Sequence, residues 1–215
     1  MISSWITDNY IEIFGALTGI LYVFLEIRQT IWLWPVGIIT SGVYIWVFFT
    51  GKLYADMSLQ GYYLIISLLG WYWWAGREKG RSGQREKGRD DTENGGSLKV
   101  TRLDLRTGVI LSVVFVLLFA LLRLLLARFT DSPVPGWDSF ITSLSIIATW
   151  MLARKIYEHW FLWIVVNTAA TILFSTRGLY PTVILYIVYG TMSFAGLKAW
   201  QKTLRPHSTA PVTER

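Results

Sequence analysis

Apolar residues fall into seven long runs, at 11–27, 32–49, 57–75, 108–127, 139–153, 160–176 and 178–197. Charge is almost absent inside them; Glu12 and Glu26 sit near the two ends of the first run, and Arg123 near the far end of the fourth. A membrane helix needs about 20 apolar residues, and flanking Trp and Tyr extend the shorter runs into the interface. The pattern predicts an all-α, polytopic membrane protein with seven transmembrane helices. Between the third and fourth runs lies REKGRSGQREKGRDDTENGGS at 77–97, a glycine-rich stretch of mixed charge that reads as a flexible linker. Pro133, Pro135 and Gly136 supply turn chemistry before the fifth run.

The chain also repeats. LYADMSLQGYYLIISLLGWYWW at 53–74 aligns without a gap on LYPTVILYIVYGTMSFAGLKAW at 179–200, with Tyr63 on Tyr189, Ser67 on Ser193, Gly70 on Gly196 and Trp74 on Trp200. Trp34 and Trp163 open the preceding span of each half, with the spacing there differing by three residues. Spans one to three and five to seven then form two copies of a three-helix unit, and the odd fourth span returns the second copy to the orientation of the first. Parallel repeats of this kind are a transporter architecture, with the site at the repeat interface. The organisation expected is a first three-helix repeat at 1–75, a cytoplasmic polar linker at 76–107, a connecting fourth helix at 108–128, a second repeat at 137–200 and a cytoplasmic tail at 201–215.

The most informative stretch is WFLWIVVN, which sets Trp160, Trp163 and Asn167 at i, i+3 and i+7 of an uncharged helix. One helical face carries all three. Two indoles beside a carboxamide suit a flat polar or cationic ring, because indole faces attract cations and the amide both donates and accepts. An aromatic belt with a helix-clasping Asn is the bland alternative, and the spacing alone leaves the two level. Gln60, Tyr63 and Ser67 share a face of the third span; Tyr186, Tyr189 and Ser193 share one of the seventh. Gln60, Tyr186 and Tyr189 are expected to contact the path or a ligand, and Ser193 and the glycines to pack helices. Trp34 is expected to face its repeat mate Trp163, Pro35 to sit in a first helical turn, and Glu12, Glu158 and His159 to lie at the membrane interface.

Composition narrows the function. The 215 residues are 53% hydrophobic and 16% charged, with a pI near 9.6. The positive charge sits in loops, where topology explains it better than nucleic acid does. Placing the N-terminus outside puts sixteen Lys and Arg on the inner side and three, Lys52, Arg128 and Arg177, on the outer. Cysteine is absent and there are two histidines, His159 and His207, so thiolate and His-based metal centres are not expected, nor any cofactor. No charged n-region marks a signal peptide. No nucleophile–base set, membrane carboxylate pair or phosphate loop points to an enzyme, and a seven-span receptor finds no partner surface in the loose linker.

The stretch WDSFITSLSIIATWMLARKIYEHWFLWIVVN at 137–167 closely resembles the second half of the PnuC nicotinamide riboside transporters. WPVGI at 34–38, LYAD at 53–56 and GWYWW at 70–74 resemble the first half of the same family. The resemblance implies a 3+1+3 helical fold similar to that of the SWEET sugar transporters, a homotrimer in the bacterial inner membrane, and facilitated diffusion of an unphosphorylated vitamin that a cytoplasmic kinase traps. The family's substrate contacts match Trp160, Trp163, Asn167 and Gln60; Trp34, Tyr186 and Tyr189 follow from the repeat. Related Pnu proteins carry thiamine or riboflavin, and the WLWPVG start of the second span keeps thiamine open as the alternative vitamin.

Overall fold

A computed structural model describes residues 10–50, 54–84, 98–130 and 133–204, with 10–12, 54–56 and 76–84 as backbone. The Glu12 side chain, Lys52, the linker stretch 85–97 and the tail beyond Leu204 lie outside the described residues. Seven helices follow in order: α1 (Tyr10–Ile27), α2 (Leu33–Thr50), α3 (Tyr54–Gln84), α4 (Leu105–Phe129), α5 (Pro135–Ala153), α6 (His159–Thr176) and α7 (Tyr180–Leu204). Leu33–Thr50, Leu105–Phe129, His159–Thr176 and Tyr180–Leu204 are long and apolar enough to cross a membrane, and α1 adds the shorter apolar stretch Ile13–Ile27.

The helix ends follow local chemistry. Helix α5 begins four residues ahead of its apolar run because Pro135 occupies the first turn, where a missing N–H costs nothing. The Asp104 side chain accepts from the Thr107 N–H at 3.0 Å and caps α4. Bonding to Thr107 also holds the Asp104 carboxyl below the usual carboxylate range. Helix α3 continues nine residues past its apolar run, since the Arg, Glu and Lys that follow Ala75 are good helix formers. The end of the expected linker is docked on the α5–α6 turn: the Thr101 N–H donates to the Lys155 carbonyl at 3.0 Å, the Tyr157 N–H donates to the Thr101 carbonyl at 2.9 Å, and the Leu103 N–H donates to Glu158 Oε2 at 2.7 Å. Leu98 and Val100 pack on the main core.

Six helices close a ring. Helix α1 packs on α2, α2 on α3, α3 on α5, α5 on α6, α6 on α7, and α7 back on α1. Helix α4 packs on α5 alone and buries none of its residues. The ring maps onto itself when α1, α2 and α3 are exchanged for α5, α6 and α7. The side chains obey the same exchange. The Trp34 ring lies against Gly70 and edge-on to Trp74, with centroids 5.3 Å apart at 88°; the Trp160 ring lies against Gly196 and edge-on to Trp200, at 5.8 Å and 81°. Trp34 therefore corresponds to Trp160 and not to Trp163, and the spacing is the one that relates Trp74 to Trp200. Only glycine at 70 and 196 leaves room for an indole on the helix backbone.

The core is concentrated at one end of the ring, where Leu33, Trp34, Trp74, Leu152, Ala153, Tyr157, Trp160 and Trp200 pack together. Each closing Trp donates to a carbonyl across the ring: Trp74 Nε1 to Ala153 O at 3.2 Å and Trp200 Nε1 to Glu26 O at 3.1 Å. Those bonds satisfy the indole donors and cap the last carbonyls of α5 and α1.

Candidate functional site

Above this aromatic layer the ring encloses a cavity of about 300 Å³. Six helices line it and α4 does not: α1 gives Thr18, Gly19, Tyr22, Val23 and Glu26; α2 gives Gly37, Thr40 and Ser41; α3 gives Gln60, Tyr63 and Ser67. Helix α5 adds Ile141, Ser145 and Thr149, α6 adds Trp160, Trp163, Val166 and Asn167, and α7 adds Tyr186, Tyr189 and Ser193. Six of the seven residues expected from the sequence thus meet around one space. The seventh, Trp34, does not: it is fully buried behind α3 against Gly70 and lies outside the lining.

Asn167 is 5% exposed, and its Nδ2–H donates to Ser193 Oγ at 3.1 Å. That bond leaves its carbonyl oxygen for a ligand donor. Ser193 in turn donates to the Tyr189 carbonyl at 2.8 Å, so it orients the carboxamide as well as packing α7 on α6. In the first half the corresponding positions are Ser41 and Ser67, so no carboxamide stands there. Tyr186 is stacked on Phe174 at 5.3 Å and meets Tyr189 edge-on at 5.9 Å. The Tyr189 hydroxyl reaches across the ring to Gly19, and Tyr63 reaches Ser145 in the matching place.

Trp160 is completely buried; its six-membered ring rests on Gly196 and it touches His159 and Trp200, with ring centroids 4.7 and 5.8 Å away. It is a wall rather than an open stacking face. Trp163 is only partly buried and is the indole best placed to receive a ring. Among the described residues, the buried polar atoms without a partner are Trp34 Nε1, Trp160 Nε1, Trp163 Nε1 and Thr40 Oγ1. Three of those four belong to the cavity lining. A buried N–H or hydroxyl left unsatisfied costs about 1–3 kcal/mol, and three of these groups belong to side chains gathered around one space.

His159, expected at the membrane interface, is fully buried within the protein, and Glu26 beside it is 2% exposed. His159 Nε2 lies 3.0 Å from Glu26 Oε1, and its Nδ1 lies 2.6 Å from the Ile156 carbonyl oxygen. The pair joins α1 to α6 at the aromatic end of the cavity. Glu158, by contrast, is half-buried and holds the docked linker. Thr40, Tyr22 and Glu26 are lining residues that periodicity within a single span did not reveal. No group of three metal-ligating side chains occurs among the described residues.

A ring of largely apolar helices around a small, mostly apolar cavity with a few polar side chains on its wall suits a membrane transporter of small molecules. The family model described as nicotinamide mononucleotide transporter matches residues 9–202, and the chain belongs to that family. The nicotinamide riboside transporter PnuC of Escherichia coli is 24% identical, over 95% of this chain and 90% of its own. The riboflavin/roseoflavin transporter RibM of Streptomyces davaonensis is 26% identical, over 94% of this chain and 89% of its own. The crystal structure of the vitamin B3 transporter PnuC superposes with a TM-score of 0.69 at 24% identity, over 96% of this chain and 87% of that one, and shares the fold. With relatives that are transporters throughout, the chain is a transporter and not an enzyme, and the vitamin carried differs among them.

Proposed function

We propose that the chain is a uniporter for nicotinamide riboside in the bacterial inner membrane. The observation that carries the reading is the set of unpartnered indole and hydroxyl groups of Trp160, Trp163 and Thr40 around Asn167 and Gln60. Nicotinamide riboside offers a flat pyridinium ring with a fixed positive charge, a carboxamide and ribose hydroxyls. The ring stacks on Trp163, Asn167 and Gln60 bond the carboxamide edge, and the free indole N–H groups and Thr40 bond the sugar. A kinase in the cytoplasm traps the product, so diffusion down a gradient suffices for uptake.

The ring symmetry supports two parallel three-helix repeats joined by α4, a 3+1+3 arrangement of seven spans. The excess of Lys and Arg in the loops assigned to the inner side supports an N-terminus outside and a C-terminus inside, with the aromatic end as the cytoplasmic end. The bare apolar surface of α4 faces lipid or neighbouring protomers of a homotrimer. Thiamine, also a flat fixed cation, is the alternative substrate.

Uptake into proteoliposomes tests the reading. Labelled nicotinamide riboside should enter saturably and equilibrate, and unlabelled riboflavin should compete poorly. Saturable entry of thiamine or riboflavin with none of nicotinamide riboside would reassign the substrate.

A further inference from the structure

Among the described residues, Glu26 is the single acidic side chain on the cavity lining, and no Lys, Arg or His shares that lining. The other titratable groups there are phenols: Tyr22 from the same helix, Tyr63 from α3, and Tyr186 and Tyr189 from α7. They are uncharged at neutral pH. Helices α2 and α5 contribute only hydroxyls, a glycine and an isoleucine, and α6 meets Glu26 with His159. The charge inside the cavity is therefore set by one carboxyl group and the imidazole behind it.

The geometry counts the protons on that pair. A carbonyl oxygen only accepts, so the 2.6 Å contact to Ile156 O requires a proton on His159 Nδ1. Nε2 and Glu26 Oε1, 3.0 Å apart, then need one proton between them, or two lone pairs would oppose each other. The pair is either imidazolium with carboxylate or neutral imidazole with carboxylic acid, and its sum is zero in both. Burying the carboxylate is tolerable because this partner is in place. Glu26 lines the cavity and His159 does not, so in the first form the negative end of the pair faces the ligand and the positive end is withdrawn.

We propose that Glu26, held by His159, is the charge-selecting residue of the cavity, the group that favours a flat ring with a fixed positive charge over a neutral ring of the same shape. The inference rests on the substrate reading above and adds to it the basis of discrimination within the family's range of vitamins. A cationic ring draws the proton from Glu26 Oε1 to His159 Nε2 and meets a full carboxylate. A neutral ring leaves the proton free to stay on the carboxyl. No proton leaves the pair, so selectivity needs no ion gradient. His159 is a positioning residue: it orients the carboxylate and stores its proton.

The test uses one nucleoside in two charge states, nicotinamide riboside and its neutral dihydropyridine form, titrated calorimetrically into the full chain and into Glu26→Gln. The native protein should prefer the cation, and Glu26→Gln should lose at least tenfold in affinity for the cation and less than twofold for the neutral form. Equal losses for both would make Glu26 a structural residue, and equal native affinity for both would end the charge-selection idea while leaving the substrate reading intact. Binding of neither form would refute the substrate reading itself, and this inference with it. Nitrogen-15-labelled histidine gives a readout that does not depend on the variant folding. In the cation complex at neutral pH both His159 ring nitrogens should carry protons, and a neutral imidazole there would overturn the proposal.

Discussion

The two glycine–indole contacts form a matched pair of sites, and a methyl group added at each separates packing from binding. In Gly196→Ala the new Cβ collides with the outer edge of the Trp160 ring, and in Gly70→Ala with the same edge of Trp34. Neither indole has an easy escape, because each is fully buried and held edge-on to a second Trp. Overpacking of this kind costs about 1–3 kcal/mol, and the near identity of the two contacts predicts similar costs. The consequences for ligand differ. Trp160 borders the cavity, so displacing it intrudes on a space of about 300 Å³, whereas Trp34 is not among the residues that line it. Thermal melting and titration with nicotinamide riboside should therefore show comparable destabilisation in both variants. Affinity should fall about tenfold in Gly196→Ala, which is about 1.4 kcal/mol, and change little in Gly70→Ala. Equal affinity losses in the two, or an unaffected Gly196→Ala, would refute the assignment of Trp160 to the cavity wall.

Trp163→Ala and Asn167→Leu should each weaken binding about tenfold or more, since an aromatic–cation contact and a buried amide bond are each worth about 1–3 kcal/mol; calorimetry on folded variants measures this. Ser193→Ala should cost less, about 0.5–1.5 kcal/mol, because it frees the Asn167 amide from a bond at 3.1 Å without removing it. Single cysteines introduced into this cysteine-free chain report topology: an impermeant reagent on intact cells should label position 52 and not the 77–97 linker, and the reverse pattern would invert the orientation. Liposome uptake should proceed without a proton or sodium gradient and stop at equal concentrations; accumulation abolished by a protonophore would show coupling.

The apolar runs located every described helix, because a lipid-facing surface is written into local hydropathy, but they ended α3 nine residues and α7 seven residues too early. Helix α4 is the clearest case, apolar on every side and buried on none. That Trp160, Trp163 and Asn167 share one face was legible from helical spacing, and all three reach the cavity lining; the spacing did not choose between ligand contact and helix clasp, and Asn167 does bond Ser193 of the next helix. The Trp34 error came from matching residue types instead of register. The separation that pairs Trp74 with Trp200 also pairs Trp34 with Trp160 and Ser41 with Asn167; it names the right mate for Trp34, but not that only one of the two indoles borders the cavity. The Glu26–His159 pair was hidden for a different reason. Its members are 133 positions apart, each lies near a helix end where charged residues are ordinary, and only the closing of α1 onto α6 and α7 buries them. Helix α5 carries Ser139, Ser143, Ser145 and Thr149 on its buried side, each bonded to its own carbonyl one turn back, so polar content there reflects self-satisfaction more than ligand contact.

The central claim is that the space between Trp163, Asn167 and Gln60 receives the substrate. A structure of the protein with nicotinamide riboside bound tests it most directly. The account predicts density for the pyridinium ring against Trp163, its carboxamide within hydrogen-bond reach of Asn167 and Gln60, and the charged ring on the Glu26 side. Density at another place, with this cavity left as it is, would contradict it.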